Sequence, residues 1–256
     1  MKDEDNITSF WKQAFNLTYK GKKSQSFLNI YRQIYGKDYP EEADHDSFVT
    51  KTDLKNIVKY LNVGPGETFI DLGCGRGGPG LWIARENNAN YVGIDFSEVG
   101  VELAAQRFKA IGLERKAQFH VGNICATDFP DNFFDGAVSI DVLSFIPNQS
   151  KAILEVARIL RTNAIFVFTS WEKKESNIVN DYRPLLSESG FKVNIYYEAP
   201  DWERRQREVY QKYIELKDIL IKDMGRAGAA PWIMEAKSIP PILKNRRRIF
   251  AVAEKI

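Results

Sequence analysis

The residues best able to do chemistry are concentrated in Phe69-Ile70-Asp71-Leu72-Gly73-Cys74-Gly75-Arg76-Gly77-Gly78-Pro79-Gly80. Gly73, Gly75 and Gly77 remove side chains where a backbone must turn tightly and let a ligand approach. An apolar run precedes them and a helical pattern comes after, so free N–H groups at the helix start face whatever binds there. Pro79 suits a first helical turn, where its missing donor costs little. Gly73, Gly75 and Gly78 also satisfy the dinucleotide fingerprint G-x-G-x-x-G, with Asp95 about 20 residues on. Asp71 weighs against that reading. A carboxylate just ahead of the glycines is unhelpful beside a pyrophosphate.

Further motifs occur downstream in order. Tyr91-Val92-Gly93-Ile94-Asp95-Phe96-Ser97 ends a strand on an acid. His120-Val121-Gly122-Asn123-Ile124 and Phe134-Asp135-Gly136-Ala137-Val138-Ser139-Ile140-Asp141-Val142-Leu143 complete the series. Together with the glycine-rich turn they resemble class I S-adenosylmethionine-dependent methyltransferases, over roughly residues 52–200 plus a last strand near 248–253. The resemblance implies a seven-stranded, mostly parallel, doubly wound α/β sheet of Rossmann-like type, its last strand antiparallel. It also implies an N-terminal helical extension and a helical insertion before the last strand.

The implied cofactor is S-adenosylmethionine, lying across the carboxyl ends of the first two strands. Asp71 and Gly73 would face its methionine part, with Gly75 and Gly77 also binding the cofactor and Cys74 contributing its backbone. Asp95 would accept from both ribose hydroxyls, and Phe96 would flank the adenine. Asn123 would accept from the adenine amino group and Ile124 would pack on the ring. The family more often has Asp at position 123, and an amide oxygen keeps the acceptor with less charge. Asp141 and Val142 would lie beside the methionine part; a helix cap is the alternative for Asp141.

Such catalysis needs placement and water exclusion more than functional groups. A base is required only for a protonated nucleophile. His45, in Ala43-Asp44-His45-Asp46-Ser47-Phe48, is the candidate base; its acidic neighbours would favour the protonated form. A solvated loop is the plainer reading. His120 reads as structural. The Asn-Pro-Pro-Tyr signature of amino-directed nucleic acid methyltransferases is missing, since the chain reads Asp141-Val142-Leu143-Ser144-Phe145-Ile146-Pro147. The resemblance is therefore to the small-molecule, natural-product members of the class, and a role in secondary metabolism is expected from it. The substrate is expected between aromatic walls: Tyr35, Tyr39, Phe48, Trp171, Trp202, Tyr210 and Tyr213. For each aromatic, ordinary packing is the competing explanation. Trp171 stands apart because it ends a strand at the ligand-binding edge.

The elements that must position these residues alternate from residue 68 onward. Thr68–Leu72, Tyr91–Ile94, Ala117–Val121, Phe134–Ile140, Ala164–Thr169, Lys192–Tyr197 and Arg248–Ala253 read as strands. Pro79–Glu86, Glu98–Ala110, Ser150–Leu160 and Ile178–Ser189 read as helices, the last capped at Gly190. Trp202, Val209, Tyr210, Tyr213, Leu216, Leu220 and Met224 form one amphipathic stripe that Gly225 should stop, and Pro231, Pro240 and Pro241 should break the chain beyond it into short pieces. The 256 residues are divided as one domain: a helical cover at 1–50, a cofactor-binding core at 52–200, a helical lid at 201–245 and a last strand at 246–256.

Thirty-six basic and 34 acidic residues nearly cancel, which argues against a protein that coats nucleic acid or anionic lipid. The cluster Lys244-Asn245-Arg246-Arg247-Arg248 reads as an exposed loop and Lys20-Gly21-Lys22-Lys23 as a solvated turn, although the former keeps an RNA-methylating alternative in view. An NAD-type oxidoreductase is the other alternative. Two cysteines, Cys74 and Cys125, are too few for a disulfide framework or a zinc site. No dense metal-ligand cluster stands out, so metal independence is expected. The charged start Met1–Asp5 is unlike a secretory signal and no run could span a bilayer. A cytoplasmic protein acting on a small molecule, without membrane attachment, is expected; the sequence leaves homo-oligomerisation open.

Overall fold

The computed structural model describes residues 2–21, 23–175, 178–179 and 181–256, with the side chains of residues 2–8 and 175–180 outside that description. The readings placed on Met1–Asp5, on Lys22 and on the start of the 178–189 helix fall wholly or partly there. Among the described residues the strands are β1 (Thr68–Leu72), β2 (Asn90–Asp95), β3 (Ala117–Val121), β4 (Phe134–Ile140), β5 (Leu160–Glu175), β6 (Ile178–Val179), β7 (Phe191–Glu198) and β8 (Arg246–Lys255). The α-helices are α1 (Lys2–Lys20), α2 (Gln25–Tyr35), α3 (Lys51–Leu61), α4 (Gly78–Asn87), α5 (Glu98–Ala110), α6 (Gln149–Ile159), α7 (Arg183–Glu188), α8 (Trp202–Glu215) and α9 (Lys217–Ser238).

Seven strands lie in the order β3-β2-β1-β4-β5-β8-β7, and the two-residue β6 pairs with β5. Pairings from β3 to β5 are parallel, whereas β8 runs antiparallel between β5 and β7. The chain steps outward from β1 to β3 and then returns to place β4 on the other side of β1. That reversal puts the ligand-binding crevice of an open α/β sheet at the carboxyl ends of β1 and β4.

Strand alternation divides the core. Ile70, Leu72, Phe166, Phe168, Ile249 and Ala251 face a cluster shared with Ile153 and Val156 of α6 and Leu186 of α7. Phe69, Val167, Phe250 and Val252 face the opposite cluster, with Leu54 and Ile57 of α3, Ile83 of α4 and Phe108 of α5. Both faces are covered, which is why the inner strands read as unbroken apolar runs. A third cluster joins Phe27, Ile30 and Tyr31 of α2 to Val209, Tyr210 and Tyr213 of α8 and Trp232 and Ile233 of α9. Each large side chain so buried contributes about 1.5–3 kcal/mol.

Several expectations are corrected. The stripe from Trp202 to Met224 is two helices, α8 and α9, that meet at Leu216. Gly225 (φ 75°, ψ 160°) is non-helical and stops the first stretch of α9, as expected, whereas Pro231 sits inside the second helical stretch that follows it. One missing donor does not stop a helix held by burial of Ala229, Trp232, Ile233 and Ala236. The helix expected over 178–189 shrinks to Arg183–Glu188, preceded by β6. Helix α3 was not expected, although Thr50 and Asp53 form a reciprocal capping box and Leu54, Ile57 and Leu61 share one buried face. Arg248 is not in an exposed loop: it lies within β8 and is 1% exposed. Lys23 is likewise no solvated turn residue, its side chain being 6% exposed between Asp44 and Asp46.

Candidate active site

At the β1–β4 crevice the turn after β1 is held by its own backbone. Gly73 and Cys74 donate their N–H groups to the Ile94 carbonyl at 2.8 and 3.1 Å. Gly73, Gly75 and Gly77 have φ of 81°, 49° and 72°, a region that other residues enter at a cost. A Cβ on Gly73 would come 2.5 Å from Cγ2 of Val142, so Val142 abuts the turn across the switch point. A Cβ on Gly78 would collide with the Ala43 carbonyl oxygen, a backbone atom that can give way only if its loop moves. Gly78→Ala is therefore expected to lower unfolding free energy by about 1–3 kcal/mol. Urea denaturation with an unchanged midpoint would show that the 41–46 loop does not pack on the turn as described.

Two carboxylates flank the turn in nearly complete burial. Asp71 accepts from the Tyr91 hydroxyl at 3.1 Å, and burial, aided by Asp95, pushes it up to about 7 against the Tyr91 hydrogen bond. Asp95 accepts from the N–H groups of Gly75 and Ser97, each at 2.9 Å, yet burial still raises it to about 6. Cys74 is buried, and its thiol is pushed up by burial and by these two acids, which leaves it unreactive.

The N-terminal helix lies over this turn. A Cβ on Gly75 would sit 2.8 Å from the Tyr19 hydroxyl oxygen. Phe15 packs on Phe96 and Phe145, and Trp11 on Phe145. The loop before α3 is pinned to the turn by charge: Arg76 Nε reaches Asp46 at 2.9 Å, and Lys23 reaches Asp46 at 3.1 Å. Although burial opposes it, Lys23, Arg76 and Arg107 hold Asp44 down at about 2. Tyr19, Phe15 and Arg76 were not expected at the site; the i, i+4 spacing of Phe15 and Tyr19 was the available signal.

Ile124 is buried with Val92, Ile94 and Leu143. Asn123 is exposed and spends its side-chain oxygen on the Cys125 N–H at 2.9 Å, closing its own loop. Asp141 (φ 59°) is a hub: it accepts from Phe48 N at 3.0 Å, from Thr169 Oγ1 at 2.7 Å and from Arg248 Nε at 3.1 Å. Arg248 also donates to Asp53 at 2.9 Å. The carboxylate expected beside a cofactor is thus engaged by the protein on the side facing β8.

Tyr35, Tyr39, Trp202, Tyr210 and Tyr213 gather in the third cluster, and Phe48 and Trp171 pack against it. Phe48 meets Trp171 and Tyr210 edge-on, at 5.8 Å each. Beside them lies a cavity of about 170 Å³, bordered by Tyr35, Phe48, Trp202, Arg205 and Arg248 among others. His45 is buried and touches Tyr31 and Tyr39, with centroids at 6.0 and 5.7 Å. Its burial, then Lys23, lowers it to about 3 against the pull of Asp46 and Asp44. The protonated form expected from its acidic neighbours is therefore corrected to a neutral imidazole, a weak base at neutral pH. His120 lies on exposed β3.

The basic run 244–248 offers no continuous cationic patch. Arg248 is buried and Arg247 is paired with the buried Glu172. Among the described residues no group of three or more His, Cys, Asp or Glu could hold a metal ion. Likewise, no described helix is long and apolar enough to cross a membrane.

Residues 70–168 match the family model described as methyltransferase domain. A 24-methylenesterol C-methyltransferase of Arabidopsis thaliana is 36% identical over 160 residues, 59% of this chain and 44% of that protein. A phosphoethanolamine N-methyltransferase of the same plant is 24% identical over 74% of this chain and 36% of its own length. The chain thus spans about half the length, or less, of these curated relatives. A cyclopropane synthase structure from Mycobacterium tuberculosis superposes with a TM-score of 0.72 at 12% identity, covering 95% of this chain and 98% of that one.

Proposed function

We propose, from the premise that residues 70–168 carry a methyltransferase domain of the class I, S-adenosylmethionine-dependent type, that the protein methylates a carbon atom of a small, largely apolar acceptor. The observation that carries this reading is the pairing of two sites at one sheet edge. The buried carboxylates Asp71 and Asp95 flank the glycine turn, and an aromatic cluster begins just beyond Asp141.

The residues present fit the cofactor. Asp71 and Asp95 are ionisable acceptors in a dry crevice, and an α-ammonium and a ribose diol supply the donors they call for. When bound, the cofactor provides a sulfonium methyl group that is already electrophilic. Asp71 would hold the amino end, Asp95 the ribose, and Phe96 and Ile124 the adenine. Val142 would set the methionine arm against Gly73. Tyr19, Phe15 and Trp11 would close over the crevice and exclude water, with α1, α2, α8 and α9 acting as cover for the same domain. Phe48, Trp171 and Tyr210 would present the acceptor, with Trp202, Tyr35 and Tyr213 behind them. The sterol C-methyltransferase relatives favour carbon as the nucleophile, as does a wall of aromatic rings beside a neutral His45. Titration calorimetry with S-adenosylhomocysteine, with NADH in parallel, tests the cofactor; NADH binding alone would overturn the reading. Transfer of radiolabel from S-adenosylmethionine to an alkene, and not to phosphoethanolamine, tests the acceptor.

Proton linkage gives a second test. Asp71 and Asp95 are raised above the usual carboxylate range, so they favour the folded, ligand-free protein below about pH 4, and that contribution is lost as pH rises through about 6 and 7. Donors from the cofactor favour the ionised carboxylates. S-adenosylhomocysteine affinity should therefore increase from pH 5.5 to 7.5, with protons released on binding. Calorimetry in two buffers of different ionisation enthalpy measures that release; none at pH 6 would contradict the placement.

A further inference from the structure

Three buried polar atoms border the aromatic cluster without a hydrogen-bond partner among the described residues: His45 Nε2, Trp171 Nε1 and Gln206 Oε1. Such atoms are uncommon, because each forfeits about 1–3 kcal/mol of solvation. The other unpartnered atoms are of a different kind. Asn87 Nδ2 belongs to the last residue of α4, and the Arg205 and Arg247 nitrogens belong to guanidinium groups otherwise paired with acids.

Their polarity can be assigned. His45 Nδ1 lies 2.8 Å from the Ser47 carbonyl oxygen, which can only accept, so Nδ1 carries the hydrogen. The longer approach of Ser47 N, at 3.4 Å, does not outweigh that contact. Nε2 of the neutral ring is then a bare acceptor. Gln206 donates from Nε2 to the Tyr210 hydroxyl at 2.9 Å, which leaves Oε1 as a second acceptor. The Trp171 indole N–H is a donor only. Trp171 meets Phe48 and Gln206 meets Tyr210, both in the proposed acceptor wall, while His45 meets Tyr31, whose hydroxyl is 2.7 Å from that of Tyr213 behind the wall.

We propose that His45, Gln206 and Trp171 recognise hydroxyl groups on the methyl acceptor, which is accordingly an apolar alcohol and not a bare hydrocarbon. This rests on the methyltransferase reading of the site. A hydroxyl both donates and accepts, so it satisfies bare acceptors and a bare N–H, while the ring walls take the apolar body. A bare hydrocarbon brings neither a donor to the two acceptors nor an acceptor to the indole. His45 is on this view a positioning residue that holds the alcohol, not the base.

The test uses the full chain saturated with S-adenosylhomocysteine and two matched pairs: a sterol alkene with its 3-deoxy analogue, and farnesol with farnesene. At least one alcohol should bind about 10-fold or more tightly than its hydrocarbon partner. His45→Phe and Trp171→Phe should each reduce that ratio to within about twofold while leaving S-adenosylhomocysteine affinity unchanged. In turnover the loss should fall on KM for the alcohol more than on kcat. Two variants guard against one that fails to fold, and circular dichroism melting identifies such a case. Failure of S-adenosylhomocysteine to bind would remove the methyltransferase reading itself. Normal cofactor binding with no discrimination in either pair, or discrimination that survives both variants, would overturn this inference alone.

Discussion

Arg248→Met is expected to lower unfolding free energy by about 3–5 kcal/mol, the usual cost of leaving buried charges without their partner. Arg248 is 1% exposed and sits between Asp53 and Asp141, both also buried, at 2.9 and 3.1 Å. The guanidinium is held charged in spite of its burial by these two acids. It ties three elements that are distant in sequence: β8, the capping box that starts α3, and the end of β4 at the crevice. Removing it strands Asp53 and Asp141 in a dry interior and frees Phe48, whose backbone N–H rests on Asp141. For a chain of this size the melting temperature should fall by roughly 10 °C. Equilibrium urea denaturation measures the loss. A cost under about 1 kcal/mol would mean that water reaches the triad and that the pair behaves as a surface ion pair.

Asp95→Ala should weaken S-adenosylhomocysteine binding by about 1.5–3 kcal/mol, roughly 10- to 150-fold, the scale of hydrogen bonds to a charged group. Its carboxylate already orders the turn by accepting from Gly75 and Ser97, so the variant loses both a ligand contact and the posture of the glycine loop. Asp135→Asn is the control, because Asp135 accepts from Thr68 N at the opposite end of β1. Calorimetry at pH 7.5 gives both values. Tight binding by the Asp95 variant would remove that residue from the cofactor site and with it the proposed orientation across β1 and β2.

Local chemistry carried far in this chain. The β1 turn was legible because glycine alone adopts positive φ cheaply, and Gly73, Gly75 and Gly77 all do so. β1, β3 and β4 and helix α5 run over the residues expected from apolar runs and helical spacing. The antiparallel β8 was expected from the resemblance and is present. The lid aromatics were legible as a set because a helical stripe that wide must cover something, and α2, α8 and α9 cover one another.

Long-range partners and the dielectric around each charge lay beyond the sequence. His45 among acids reads as protonated; burial and Lys23 make it neutral. Arg248 in a basic run reads as exposed; only the pairing of β8 between β5 and β7 brings it between Asp53 and Asp141. Pro231 reads as a helix break; burial of Ala229, Trp232, Ile233 and Ala236 outweighs its missing donor, while Gly225 does divide α9 as its sequence suggests. The sequence by itself determined most of the strands and the glycine turn after β1, because those depend on neighbours within one strand or one turn. The tertiary structure alone decided the protonation of His45, the partners of Asp141 and the seating of Tyr19 on the glycine turn, because those depend on solvent exclusion and on groups brought together from distant parts of the chain.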